Sequence, residues 1–210
     1  TAGLRRKNKM KEELEKYMII RTVGAVERAD IVLLVIDAVE GITEQDAKIA
    51  GIAHDRGKAV IIVVNKWDAI EKNNKTVNEY TAKIRQILSF MSYAEITFVS
   101  ALSGQRLPKL YELIDMVQEN HSMRVSTGVL NEIMSEAVAM QQPPSDKGKR
   151  LRLYYITQVG VKPPTFVIFV NDKELMHFSY IRYIENQIRE TFGFKGTPLK
   201  FIIRERKDKE

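Results

Sequence analysis

No cysteine occurs among the 210 residues. That excludes disulfides and thiolate-held metals and is compatible with a reducing cytosol. Histidine is almost as scarce, and His54, His121 and His177 stand too far apart to form a metal-ligand pattern. The longest apolar runs, near 31–36 and 60–64, fall far short of the ~20 residues that a membrane span needs. A soluble, cytoplasmic protein with no membrane partner is expected. Also missing is any Gly-x-x-x-x-Gly-Lys-Ser/Thr, the loop whose backbone N–H groups cradle phosphates and whose Ser/Thr holds Mg²⁺.

What is present supports a sizeable core, since 44% of the residues are hydrophobic and the length suits one or two domains. The formal charge of +6 is spread unevenly: residues 120–210 hold 15 basic and 10 acidic side chains, the rest 18 and 17. A basic surplus is the usual footprint of a polyanion partner such as RNA, and it is equally common on a plain solvated surface.

Hydrophobic spacing alternates between helix and strand. A helical pattern over 10–28 leads into the apolar run 31–36, which reads as a buried parallel strand. Thr43 is a predicted N-cap, with Asp46 in the first turn, of a helix that reaches Arg56 and stops at Gly57 before the strand ending at Asn65. A third helix over 77–91, a strand to Ser100 and a closing helix over 107–117 complete an α/β pattern with a parallel sheet. The apolar pattern relaxes around 120–124, which places a domain boundary there, with domains 1–120 and 121–210. Beyond it come a helix from Ser126, a loop over 142–148 and two strands, 151–156 and 165–170, that flank Pro163-Pro164. A helix capped by Ser179 and ended by Gly193, then a strand over 199–203, give the order α-β-β-α-β.

The chemistry concentrates at strand ends, where ligands of parallel sheets bind. Asn65-Lys66-Trp67-Asp68 follows the apolar run 59–64. The Asp68 carboxylate can accept two parallel hydrogen bonds from the guanine ring N–H and exocyclic amine, a donor pair adenine lacks. Lys66 can lay its aliphatic stem over the base, and the Asn65 amide can tie this loop to its neighbours. Ser100-Ala101-Leu102 ends the next predicted strand, the kind of segment whose backbone N–H meets the guanine carbonyl, with Leu102 supporting the loop. The opening Thr1-Ala2-Gly3-Leu4 resembles the tail of Asp-Thr-Ala-Gly, in which the aspartate serves the Mg²⁺ shell and the glycine N–H senses the γ-phosphate. The aspartate and everything upstream are missing, so the chain is expected to begin inside a GTP-binding domain. The cluster Arg5, Arg6, Lys7, Lys9, Lys11 falls where a second switch segment would be; it reads either as a phosphate contact or as a solvated loop.

Together with Lys162-Pro163-Pro164-Thr165-Phe166-Val167, Phe169-Val170-Asn171, His177-Phe178-Ser179-Tyr180 and Phe192-Gly193-Phe194-Lys195-Gly196-Thr197-Pro198, these motifs closely resemble the bacterial EngA (Der) family over essentially the whole chain. The resemblance implies the later part of a P-loop-type GTPase domain joined to a KH-like domain. It implies GTP/GDP and Mg²⁺ as ligands, a K⁺ ion near the phosphates, and GTP hydrolysis by the intact protein in assembly of the large (50S) ribosomal subunit. The partners implied are ribosomal RNA and proteins and an upstream GTPase domain of the same polypeptide. Leu4 stands where many GTPases carry a water-orienting glutamine; leucine cannot hydrogen-bond water, and it reads equally as an apolar contact. No catalytic side chain and no metal ligand is assigned in these residues, and without a phosphate loop the chain by itself is expected not to hydrolyse GTP. Two other classes stay open at this point, a non-enzymatic RNA- or ribosome-binding module and a protein-interaction module with a scaffold α/β half. Gly193-Phe194-Lys195-Gly196 matches the Gly-x-x-Gly of an RNA clamp, yet it lies between a helix and a strand and reads as a helix stop and turn.

Overall fold

An unbroken apolar run is satisfied only by burial on both faces, and in the computed structural model the run at 59–64 has that burial as the central strand of a parallel sheet. The structure describes residues 20–146 and 148–206. The readings made for Thr1, Ala2, Gly3, Leu4 and the 5–11 cluster lie outside them. A helical segment over residues 20–28 (α1) leads to β1 (Ile31–Asp37), α2 (Glu44–Asp55), β2 (Ala59–Asn65), α3 (Thr76–Ile87), β3 (Glu95–Phe98) and α4 (Leu107–Ser122). The strand order is β1-β2-β3, parallel, with Ile31 opposite Ala59 and Asp37 opposite Asn65. Alternate β2 side chains enter two cores. Val60, Ile62 and Val64 pack with Ala50, Ala53, Ile84 and Trp67; Ala59, Ile61 and Val63 pack with Val99 and Val117. The start of α2 is fixed by a capping box, in which Thr43 Oγ1 accepts from Asp46 N–H and the Asp46 carboxylate accepts from Thr43 N–H.

The second half is built from α5 (Thr127–Met140), a short hairpin of β4 (Ser145–Asp146) and β5 (Lys149–Arg150), then β6 (Leu153–Gly160), β7 (Thr165–Val170), α6 (Phe178–Phe192) and β8 (Lys200–Glu205). β6 pairs antiparallel and β8 parallel with the central β7. Helices α5 and α6 bury Leu130, Ile133, Met134, Ile184 and Ile188 against Ile156, Phe166 and Ile168 on one face of this sheet. Asn131, in mid-helix, accepts from Ile156 N–H and donates to Ile156 O at 3.0 and 2.9 Å, closing an edge that would otherwise offer unpaired backbone groups.

Several boundaries move. The helix expected over 77–91 ends at Ile87 and continues as a 3₁₀ turn over Ser89–Met91. The closing helix runs five residues past 117 to Ser122, through the expected domain division. The expected 142–148 loop contains β4, whose hairpin partner β5 lies just beyond it. His177, not Ser179, is the N-cap of α6, because the helix starts at Phe178 and has no side-chain cap.

The two halves meet at the amino-terminal end of the first sheet. The turn Gly193-Phe194-Lys195-Gly196 inserts there, so that Gly196 N–H donates to Tyr93 O and Gly196 O accepts from Val60 N–H, both at 2.8 Å. Gly196 thereby bridges β2 and the segment leading into β3. Phe194 is fully buried, and Asn120 Nδ2 donates to Lys195 O at 3.0 Å. Arg189 donates to Phe194 O and Thr197 O and lies over the Tyr93 ring at 5.6 Å. His121, buried at the end of α4, shares a 2.7 Å hydrogen bond with Thr197 Oγ1.

Two measurements check this joint. Gly196 has φ +77, and a Cβ there would come within 2.9 Å of Val117 Cγ1 and closer still to Cγ2. Gly196→Ala should therefore lower stability by about 2–4 kcal/mol in denaturant unfolding, from strain plus overpacking. At Gly193 (φ +84, ψ −70, the centre of a γ-turn) a Cβ meets nothing within 4 Å, so Gly193→Ala should cost only the backbone term, about 1–3 kcal/mol. For His121, burial first and the nearby Lys162 charge second depress the pKa from 6.5 to about 4. The unfolded chain then binds the extra proton first as pH falls. The stability due to neutral His121 is complete above pH 6.5 and is lost toward pH 4, by at most about 3 kcal/mol. Unfolding measured across that window should be less pH-dependent in His121→Asn than in the unsubstituted chain.

Candidate functional site

The carboxyl ends of β1, β2 and β3 carry the polar residues that follow three apolar strands, and backbone hydrogen bonds hold their loops side by side. Ala38 N–H donates to Asn65 O at 2.9 Å, Val99 N–H to Val64 O at 2.9 Å and Trp67 N–H to Val99 O at 3.0 Å. Asn65 then spends its side chain on the neighbouring loop, its Oδ1 accepting from Ala101 N–H at 3.0 Å. That amide does tie the two loops together. Of the Ser100–Leu102 backbone donors, one of which is expected to face a base carbonyl, Ala101 N–H is engaged with Asn65 here.

Lys66 adopts a left-handed backbone, φ +59. Its ammonium forms an ion pair with Asp37 at the end of β1, so the exposed stem runs from the end of β2 toward the end of β1 as an open apolar ledge. The hydrogen bond with Lys66 lowers the Asp37 pKa, aided by Val39 N–H, and raises that of Lys66. Asp68 stays exposed, and its pKa is lowered chiefly by a hydrogen bond from Ser100 and secondarily by its own backbone N–H. It is an ionised, acceptor-only group. Ser100 is fully buried; its Oγ also accepts from Ser103 N–H at 3.1 Å and its N–H donates to Gln105 O at 3.1 Å. Leu102, at the tip, is 91% exposed. Asn65, Asp68, Ser100 and Ala101 are thus brought to one hydrogen-bonded edge, Lys66 is drawn toward β1, and Leu102 projects into solvent.

Sequence reasoning missed three supports. Trp67 is a buried wedge whose ring lies 4.4 Å from Phe98 and 5.2 Å from Tyr80. Tyr80 donates to Ala38 O at 2.7 Å, tying α3 to the loop after β1. Asp37 had an available signal, a carboxylate directly after an apolar run, one strand over from the lysine it pairs with.

Residues 16–120 match the family described as the Elongation factor Tu GTP binding domain. The site and its parallel sheet therefore belong to a translation-factor-type GTP-binding domain. Residues 124–204 match the KH-domain-like C-terminal region of EngA bacterial GTPase enzymes. A protein named GTPase Der from Agathobacter rectalis is 76% identical over all 210 residues, and another of that name from Lachnoclostridium phytofermentans is 73% identical. The chain belongs to the EngA (Der) family. It spans 48% of the length of each of those relatives. A crystal structure of Aquifex aeolicus Era aligns at a TM-score of 0.39 and 20% identity, covering 89% of this chain and 69% of that one.

Asn65→Ala removes the acceptor for Ala101 N–H while leaving the Trp67 wedge in place. Hydrogen exchange at Ala101 should then accelerate about tenfold, the equivalent of one lost hydrogen bond, while Trp67 fluorescence stays that of a buried indole.

Proposed function

We propose that, within a polypeptide of its relatives' length, this chain supplies the base-recognising half of a GTPase that binds GTP and GDP with Mg²⁺ and hydrolyses GTP. The observation that carries the reading is the Asn65–Ala101 hydrogen bond, which sets Asp68 beside the Ser100 loop. Asp68, held ionised, presents the acceptor pair that the guanine N–H and amine require, and Lys66 offers its stem to the base face. Ala101 and Leu102 line the same edge, and Thr1, Ala2 and Gly3 would approach the γ-phosphate and metal. Mg²⁺, with a K⁺ ion beside the phosphates, would neutralise charge developing on the transferred phosphoryl group. The division expected at 1–120 and 121–210 belongs to the same proposal, moved past the end of α4 at Ser122, with the KH-like part joined to the GTP-binding part through the Gly193–Gly196 turn.

By family membership the biological role is assembly of the large (50S) ribosomal subunit in the cytoplasm, through ribosomal RNA and proteins and alongside an upstream GTPase domain. Supporting it are the relatives' name and the basic surplus of residues 120–210.

A titration with fluorescent guanine and adenine nucleotides tests the core of this reading on the chain and on a form extended upstream to the relatives' length. The extended form should select guanine, the chain alone should bind it weakly and release no phosphate above background, and loss of selectivity in the extended form would refute the assignment. Asp68→Asn should weaken GTP binding by at least tenfold and favour xanthosine triphosphate, because the asparagine amide donates where xanthine has a carbonyl in place of the amine.

A further inference from the structure

Lys66 has two features that fold stability does not explain. Its backbone is left-handed, φ +59, a conformation that costs a non-glycine residue free energy and that collects at ligand sites. Its ammonium is held by Asp37 in an ion pair whose lysine side chain is 60% exposed, and such a pair stabilises a fold little.

Asp37 is anchored to hold that ammonium. It ends β1 opposite Asn65, its Oδ1 accepts from Val39 N–H at 2.8 Å, and its carbonyl accepts from Gly41 N–H at 2.8 Å. Its side chain is only 22% exposed, and Oδ2 is the atom that meets Lys66. The loop after β1 thus fixes one carboxylate oxygen and leaves the other for the end of β2. Glu40, the next carboxylate along that loop, acts on Lys66 through its charge alone.

We propose that Asp37 is a positioning residue for the nucleotide base: by anchoring the ammonium it lays the Lys66 stem across the gap between the ends of β2 and β1 before any ligand arrives. Lysine has a long, flexible stem, and a ligand that stacks on an unanchored one must order it at the moment of binding. With Asp37 in place the base meets a surface already ordered. The contact is to the base face, so it is blind to the groups on the base edge that Asp68 reads. Asp37 contributes affinity common to related purine nucleotides, and Asp68 contributes the choice among them. The inference rests on the GTP-binding reading and gives a role in it to a residue outside the Asn65–Asp68 motif.

The test is a competition titration against a fluorescent guanine nucleotide, on the form extended upstream to the relatives' length. The competitors are GTP, GDP and inosine triphosphate, whose base lacks the exocyclic amine. Asp37→Asn keeps an oxygen for Val39 N–H and loses the ion pair. It should weaken all three nucleotides about fivefold, the cost of ordering one long side chain, with the preference for GTP over inosine triphosphate unchanged. Glu40→Gln removes the same charge, leaves the anchor intact and should bind as the unsubstituted form does. In a Lys66→Met background, which keeps an apolar stem without an ammonium, Asp37→Asn should have no further effect. A role for Asp37 in loop structure alone would persist in that background. Native affinity in Asp37→Asn, an equal loss in Glu40→Gln, an undiminished loss in the Lys66→Met background, or a collapse of the GTP preference would each overturn the role of Asp37. No guanine selectivity in the unsubstituted extended form would remove the GTP-binding reading and this inference with it.

Discussion

Strand β2 is the member on which everything else is hung. Its seven residues are hydrogen-bonded to β1 along the whole length and to β3 over the second half, and six of them are buried. Its alternating side chains feed two separate cores, so neither α2 and α3 on one side nor α4 on the other can be repositioned without moving it. At one end it delivers Asn65, Lys66, Trp67 and Asp68; at the other, Val60 N–H is taken by Gly196 of the second half. Burial of this strand stabilises the fold by the ordinary hydrophobic term, roughly 1.5–3 kcal/mol for each fully buried Val or Ile side chain before entropy is counted. Direction comes from its hydrogen bonds.

The candidate site illustrates how little individual polar contacts need to contribute once a buried strand has set the geometry. The Lys66–Asp37 pair and the contact of exposed Asp68 with buried Ser100 lie at the solvent boundary and stabilise the fold little. Their consequence is positional. Asn65 crosses to Ala101, Trp67 fills the space beneath, and Tyr80 ties α3 to Ala38, so the exposed groups sit on a base that is rigid and dry. An exposed, ionised carboxylate on such a base keeps acceptor capacity for a ligand beyond its bonds from Ser100 and its own backbone N–H, capacity that a deeply buried one would have spent on its own environment.

Much of this was legible in the residues. The continuous apolar runs declared parallel strands, Thr43 with Asp46 declared a helix start, and Asn65–Asp68 announced a strand-end loop. What was not legible follows from long-range packing. Nothing local distinguishes Leu88, which ends α3 and opens a 3₁₀ turn, from a residue in a continuing helix; the change of direction is set by burying Met91 and Ala94 against the sheet. Helix α4 outruns its apolar periodicity because His121 finds Thr197 from 76 positions away. Asp37 was invisible as a partner of Lys66 until the in-register pairing of β1 with β2 put their ends together. The fragments of the chain that matched a family pattern were therefore read more completely than the contacts that join them.

The joint between the halves also reverses what a short motif would suggest. A Gly-x-x-Gly between two helices exposes its backbone N–H groups to a nucleic acid, whereas here both glycines take left-handed conformations for internal reasons. Gly193 ends α6, and Gly196 presents both its N–H and its carbonyl to the first sheet, close enough to Val117 that no side chain fits. With Phe194 sealed beneath, the loop acts as a rivet: it joins the two halves into one mechanical unit and buries Phe194 and Gly196 in doing so. Because β8 follows the rivet by only a few residues, the second sheet is tied to β2, and through β2 to Asn65 and Asp68 at its far end.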